Sequence, residues 1–171
     1  AEIGLTQTEI PLSTHQFFGY IIGLEDWEGT TWEQMQNPDP SLTPRPILND
    51  DITMASTPRE MVSFYSRALQ GEFFQYAETL DAFRQILAIG DAVLRSMPLG
   101  ANGFGKGGSI DYDGSHVLTF AGGVYVPDRW VYFALFLNWS DEDGGDTGVE
   151  TGGYLSAAQS IFTLIRDRLT R

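Results

Sequence analysis

The chain has 171 residues, no cysteine, 42% hydrophobic residues and a net charge of −13, a composition that allows one domain with a sizeable core. This charge opposes binding to nucleic-acid backbones and to anionic membrane surfaces, because both require positive protein surface. Without cysteine there is neither a disulfide framework nor a thiolate metal site, and no apolar run reaches the length of a membrane span.

Residues 1–57 form an acidic segment with nine Asp or Glu, one Arg and five of the eight prolines. Prolines oppose long helices and central strands, so we predict an irregular segment with a helix through part of 12–24. Irregular segments of this length are usually functional or mobile. We interpret 1–171 as a single domain, or the C-terminal part of one. In it, 1–57 precedes a helix–helix–meander–helix region over 58–171.

Two helices are predicted after the acidic segment. The first starts at Pro58, with Thr57 as its cap and Glu60 three residues later, a typical helix start, and it ends at Gly71. The second covers about 79–89, with a continuation past Gly90 to Leu94. Its apolar face comprises Leu80, Phe83, Ile86 and Leu87.

A three-strand meander over 104–112, 116–126 and 130–139 is predicted next, with turns at Asp113-Gly114 and Pro127-Asp128. The third strand, WVYFALFLNW, is apolar on both faces, which predicts a position inside the sheet with cover on both sides. After an acidic Gly-rich loop over 140–153, a final amphipathic helix is expected over 154–169. Its apolar face comprises Ala158, Ile161, Phe162, Ile165 and Leu169. The predicted class is α+β, an antiparallel sheet packed with helices.

The stretch FGKGGSIDYDG contains Lys106, the only lysine of the chain. Because Gly107 and Gly108 carry no side chains, a ligand can lie along this strand and bond its backbone. Lys106 would then hold a ligand carboxylate or tune a proton-transfer group, and the alternative is a surface lysine in a flexible turn. A phosphate-binding loop is excluded, because the segment leads into a hairpin and Lys106 is followed by Gly.

Two acidic motifs are further candidates. Glu33 precedes Asn37 by four residues in TWEQMQN, and a glutamate in a loop can act as a general base through water; the alternative is one more acid in an acidic segment. Asp141, Asp143 and Asp146 carry oxygen ligands suited to calcium. The spacing of an EF-hand is not met, so the alternative there is a solvated loop.

Histidine chemistry has little support in the sequence. His15 and His116 are the only histidines, and they lack the paired spacing of transition-metal ligands. No G-x-S-x-G elbow surrounds Ser109, and His116 fits a structural or surface position. We therefore expect no metal and no cofactor.

Taken in order, three features resemble the C-terminal half of serine hydrolases of the β-lactamase and penicillin-binding-protein superfamily. These are the run STPREMVSFYSRALQGEFF with the helix after it, the stretch FGKGGSIDYDG, and two apolar strands with a terminal helix. Lys106-Gly107-Gly108 stands where that family has Lys-Thr/Ser-Gly, with Gly107 in place of the hydroxyl residue.

The resemblance implies acyl transfer to a serine on a small-molecule or peptide-like substrate with an amide, ester or β-lactam bond. It gives Lys106 the role of holding a substrate carboxylate and the backbone N–H of Ser109 that of an oxyanion donor, with Gly107 and Gly108 beside the substrate. Glu33 and Asn37 resemble a Glu-x-x-x-Asn loop of class A β-lactamases. The implied location is periplasmic or secreted.

The chain departs from the family in one decisive respect. No serine is followed three residues later by Lys, and neither Ser-x-Asn nor Tyr-x-Asn occurs. The resemblance therefore implies that the nucleophile comes from an N-terminal segment of the same protein, as a partner of this half-domain. The alternative is a non-catalytic binding or interaction module that keeps part of the fold.

Overall fold

The computed structural model of the protein describes residues 3–47, 52–112, 114–144 and 146–170, except for the side chain of Asp143. The chain divides into two compact units. One contains Ala1–Leu5 with Thr57–Arg171, and the other contains Thr6–Ser56. In the described ranges, no helix combines the length and the apolar character needed to cross a lipid bilayer.

The smaller unit contains two short helices, α1 (Thr14–Ile21) and α2 (Trp32–Gln36). Each starts with a capping box, in which a Ser or Thr and a Gln three residues later satisfy each other's backbone N–H groups. α1 lies within the predicted range 12–24. α2 was not predicted, because a five-residue helix leaves almost no periodic signal between prolines.

Four helices belong to the larger unit: α3 (Pro58–Leu69), α4 (Ala77–Ala88), α5 (Asp91–Ser96) and α6 (Thr147–Leu169). The predicted start of α3 is confirmed, because the Thr57 hydroxyl accepts a hydrogen bond from the Glu60 N–H at 3.2 Å. Gly71 follows the helix with a φ of +91°, which favours glycine and ends the helix as predicted.

Three helix predictions are wrong in detail. The helix over 79–89 does not continue past Gly90, whose extended backbone starts α5 as a separate helix. A Cβ at Gly90 would lie 2.8 Å from the carbonyl oxygen of Gly105, so this position requires glycine, which disfavours a continuous helix. Ile86 is 67% exposed instead of packing with its predicted face. α6 starts seven residues early, since Asp146 caps it by accepting from the Val149 N–H at 3.0 Å.

The predicted meander is confirmed as one antiparallel sheet in the order β1 (Asn102–Tyr112), β2 (Ser115–Val126) and β3 (Arg129–Ser140). The first turn contains Gly114 with a φ of +69°, and the second contains Asp128, also at +69°; Asp113 lies outside the described residues. One prediction is wrong. Only β2 pairs with β3 in the described part of the chain, so β3 is an edge strand and not an inner one.

Helices cover both faces of this sheet, which confirms the α+β class. On one face α5 and α6 pack on the strands through a buried cluster of Val93, Phe120, Val124, Val126, Phe133, Ala158 and Phe162. On the other face α3 and α4 pack through Tyr65, Leu69, Leu87 and Ala121. The apolar character of β3 on both faces therefore reflects helices above and below it, not a strand on each side.

Candidate functional site

A cavity of about 560 Å³ opens beside β1, with α5 and the first half of α6 around it. One wall is the run Lys106, Gly107, Gly108 and Ser109 of β1. The structure thus brings together four of the six site residues predicted from the sequence. They come together for a local reason, because all four are consecutive on one extended strand.

Position 107 requires glycine because α5 leaves no room for a side chain there. A Cβ on Gly107 would lie 2.7 Å from the Cβ of Ala92, a separation that side chains do not adopt. At Gly108 the nearest atom to such a Cβ is the Thr119 hydroxyl oxygen at 3.1 Å, which belongs to a side chain that can rotate. Packing of Ala92 on β1 therefore excludes a hydroxyl residue at position 107.

Lys106 supplies the uncompensated positive charge of the cavity. Its ammonium group donates a hydrogen bond to the carbonyl oxygen of Gly107, and it has no carboxylate partner among the described residues. Arg95 also lines the cavity, but its guanidinium is paired with Asp91 at 2.9 Å. In a strongly acidic protein, this lysine is a local attraction for an anionic group.

Hydroxyl groups line the remaining wall, and sequence reasoning missed them. Thr119 donates to the carbonyl oxygen of Gly108 at 3.4 Å, and Tyr154 donates to that of Leu135 at 2.8 Å. Burial raises the pKa of Tyr154 to about 12, so this hydroxyl stays protonated and remains a donor. No local motif marks Tyr154, because it reaches the cavity from a helix over forty residues after β1.

Glu33 and Asn37 lie in the other unit. Both are exposed, and the N–H of Asn37 donates to the carbonyl oxygen of Glu33 at 2.9 Å as α2 ends. Their side chains therefore belong to a different unit from Lys106 and Ser109, and their predicted roles stay predictions.

The acidic loop contributes a structural contact. Asp141 binds Nε2 of His116 at 2.9 Å, and Asp111 lies 3.0 Å from Nδ1 of the same ring. His116 is 5% exposed, in line with its predicted structural role. Asp146 caps α6, and among the described residues no cluster of three His, Asp or Glu side chains is arranged to hold a metal ion.

No protein-family model and no curated protein matches this sequence. Among solved structures, the chain is similar to a class D β-lactamase from Sebaldella termitidis (16% identity, TM-score 0.46), covering 70% of this chain and 43% of that one. It is similar to the C-terminal domain of the Bacillus licheniformis BlaR penicillin-receptor (19%, TM-score 0.47), covering 69% and 42%.

A class D β-lactamase from Nostoc is also similar, at 18% identity and a TM-score of 0.45, covering 85% of this chain and 54% of that one. The chain thus spans about half, or less, of the length of each of these three structures. The overlap with each of the three is partial in both length and superposition.

Proposed function

We propose that this chain is the C-terminal portion of a β-lactamase-like serine hydrolase and that the β1 edge binds the substrate. One observation carries this proposal. The only lysine of the chain, two residues without side chains and Ser109 follow one another along the wall of a single cavity. A positive charge beside an accessible backbone suits a ligand that has both a carboxylate and a carbonyl group.

In the proposed reaction each of these residues has one role. Lys106 holds the carboxylate of an amide, ester or β-lactam substrate, and Gly107 and Gly108 let it approach the strand. The backbone N–H of Ser109 donates to the oxyanion that forms when a serine attacks the carbonyl carbon. The attacking serine becomes acylated, and water then releases the acyl group.

The nucleophile is assigned to a segment outside these 171 residues, because none of their serines is followed three residues later by Lys. We propose that an N-terminal segment of the same protein supplies it. Glu33 would orient the water for deacylation, with Asn37 beside the substrate. A periplasmic or secreted location belongs to the same proposal.

A second candidate is a binding module that senses such ligands without turning them over. It is favoured by the contact between Ala92 and Gly107, which removes the hydroxyl group that the family has at this position. Reversible binding through Lys106 and the β1 backbone needs no nucleophile.

Titration of the chain with benzylpenicillin, followed by nuclear magnetic resonance shifts, tests the proposed ligand site. We expect saturable shifts along 106–109 and at least tenfold weaker binding by Lys106→Met, since a charge-assisted contact is worth about 1.5–3 kcal/mol. The matched control is Arg129→Met, which removes an exposed cation outside the cavity. Absence of binding by the unaltered chain, or equal binding by Lys106→Met, would contradict the proposal.

The intact gene product distinguishes the two candidates. A covalent adduct with a fluorescent penicillin or a fluorophosphonate, lost on removal of a serine outside this chain, supports the hydrolase. Saturable binding with no adduct from either probe supports the binding module.

A further inference from the structure

Side chains alternate between the two faces of the sheet along β1, and this alternation separates Gly107 from Lys106 and Gly108. A Cβ at Gly107 would lie 2.7 Å from the Cβ of Ala92 on α5, whereas a Cβ at Gly108 would lie 3.1 Å from the hydroxyl oxygen of Thr119. Lys106 and Gly108 therefore belong to the face opposite to the one that α5 contacts at Gly107. A hydroxyl group that acts beside Lys106 on this face must come from another strand position.

Thr119 of β2 provides a hydroxyl group on the same face as Lys106. Gly108 lies opposite Thr119 in the sheet, and Lys106 lies opposite Ala121, and residues directly opposite each other share a face. Lys106 and Thr119 are thus diagonal neighbours, a separation that a long side chain can span. Lys106, Gly108 and Thr119 all line the same cavity. A ligand atom over the bare Gly108 would therefore lie between an ammonium group and a hydroxyl group.

The hydrogen bonds of these two groups leave them able to donate to a ligand. The Thr119 hydroxyl donates to the carbonyl oxygen of Gly108 at 3.4 Å, which is longer than an ordinary bond between two oxygen atoms, and a hydroxyl group can rotate toward a better acceptor. The ammonium group of Lys106 carries three donors and directs one of them to the carbonyl oxygen of Gly107. An acceptor over Gly108 can therefore bond both groups without breaking a strong hydrogen bond.

We propose that Thr119 is a specificity-determining residue that donates a hydrogen bond from its hydroxyl group to the ligand carboxylate held by Lys106. This inference rests on the proposed function, because it assigns a second donor to the same carboxylate. Thr119 supplies from the neighbouring strand the hydroxyl group that the packing of Ala92 excludes from position 107. Its role is to bind and select the ligand, and no covalent step involves it.

The charge at this site selects a carboxylate over a neutral group. A carboxylate only accepts hydrogen bonds, and hydrogen bonds to an ionised group are about twice as strong as those between neutral groups. Asp91 of the cavity wall is paired with Arg95 at 2.9 Å, so its charge is compensated. We therefore expect Thr119 to distinguish a free carboxylate from its uncharged ester.

The test compares Thr119→Val with Thr119→Ser in titrations with benzylpenicillin followed by nuclear magnetic resonance shifts. Valine keeps the branched shape that suits a strand but has no hydroxyl group, so we expect about tenfold weaker binding. Serine keeps the hydroxyl group, and we expect binding within about threefold of the unaltered chain. Equal binding by Thr119→Val and the unaltered chain, or equal weakening by both substitutions, would overturn the role of the hydroxyl group.

The methyl ester of benzylpenicillin separates recognition of the carboxylate from a structural effect of the substitution. The unaltered chain and Thr119→Val should bind this ester within about twofold of each other, because the charged acceptor is gone. A substitution that only disturbed the strand would weaken both ligands equally, and that result would contradict the proposal. The contrast between Thr119→Val and Thr119→Ser decides the matter if the ester binds too weakly to titrate.

Lys106→Met distinguishes failure of this inference from failure of the proposed function. If Lys106→Met weakens the binding of benzylpenicillin and Thr119→Val does not, the ligand site stands and only the role of Thr119 is wrong. If the unaltered chain does not bind benzylpenicillin, the proposed function fails and the role of Thr119 fails with it.

Discussion

β1 and β3 are the two edges of one sheet, and they differ in nearly every property that an edge strand can have. β1 carries four glycines and the only lysine, and its outer side opens onto a cavity. β3 has no glycine, and it is apolar from Trp130 to Leu137. An edge with charge and bare backbone suits a small ligand, whereas a regular apolar edge suits another strand. The two edges of this sheet therefore differ in the chemistry that they present.

The largest predicted effect concerns Gly122, at which β2 passes close to β1. A Cβ at Gly122 would lie 2.0 Å from the carbonyl oxygen of Phe104 and 2.6 Å from the Cα of Gly105. Both are backbone atoms that cannot rotate away, so Gly122→Ala should lower the free energy of unfolding by about 3 kcal/mol or more. Urea denaturation measures the change.

Gly108→Ala is the control for this prediction. Its added Cβ meets only the Thr119 hydroxyl, which can rotate, so the expected loss is under about 1 kcal/mol. If both substitutions lowered the free energy of unfolding equally, the close approach of β1 to β2 at Gly122 would not be what distinguishes β1 from β3.

The second prediction concerns the missing hydroxyl group on the β1 wall. Gly107→Thr restores the residue type of the family motif but drives its Cβ into Ala92, and we expect a loss of about 1–3 kcal/mol from overpacking. Ala92→Gly removes the obstruction, so the double variant should recover part of this loss. A double-mutant cycle from urea midpoints measures the coupling, and a coupling near zero would contradict a steric origin.

Features of the fold and of the cavity that depend on neighbouring residues could be predicted from the sequence, whereas those that depend on distant contacts could not. The start of α3 at Thr57 and the turn around Gly114 were predictable because caps and tight turns are encoded within a few residues. Lys106 and Ser109 were placed together for the same reason, since they share a strand.

Long-range features were not predictable in this way. The edge position of β3 depends on which strands are present to pair with it, and an apolar run reports only that it is covered. Tyr154 and Arg95 reach the cavity from α6 and α5, and neither has a local motif that relates it to Lys106. The need for glycine at position 90 follows from the close approach of Gly105, a contact that no local motif indicates.

The third prediction makes β3 resemble β1 by adding a charge to it. Leu137 is half-buried and lies outside the two core clusters, so Leu137→Lys should lower the free energy of unfolding by only about 1 kcal/mol. Urea denaturation measures the change. A loss of 3 kcal/mol or more, the size expected from a core position, would contradict this prediction.

The smallest predicted effect concerns His116, which connects the two edges at one end of the sheet. It lies on β2 between Asp111 of β1 and Asp141 after β3, and its ring stacks on Trp139 at 5.0 Å. The hydrogen bond that His116 donates to Asp141 is the main cause that raises the pKa of His116, and the nearby charges add to it against the opposing effect of burial. The protonated ring is therefore favoured in the folded chain.

The direction of this pKa shift determines how the stability of the folded chain depends on pH. Because the pKa is higher in the folded state, the stabilisation from protonated His116 is complete below the unfolded pKa of about 6.5 and is lost as pH rises through the folded value. Urea midpoints measured between pH 5.5 and 8.5 should fall modestly over this window, and His116→Gln should flatten that fall. Arg129→Met, which leaves His116, Asp111 and Asp141 unchanged, should leave this fall in stability unchanged. If His116→Gln left the fall unchanged instead, a group other than the histidine that joins the two edges would cause the pH dependence.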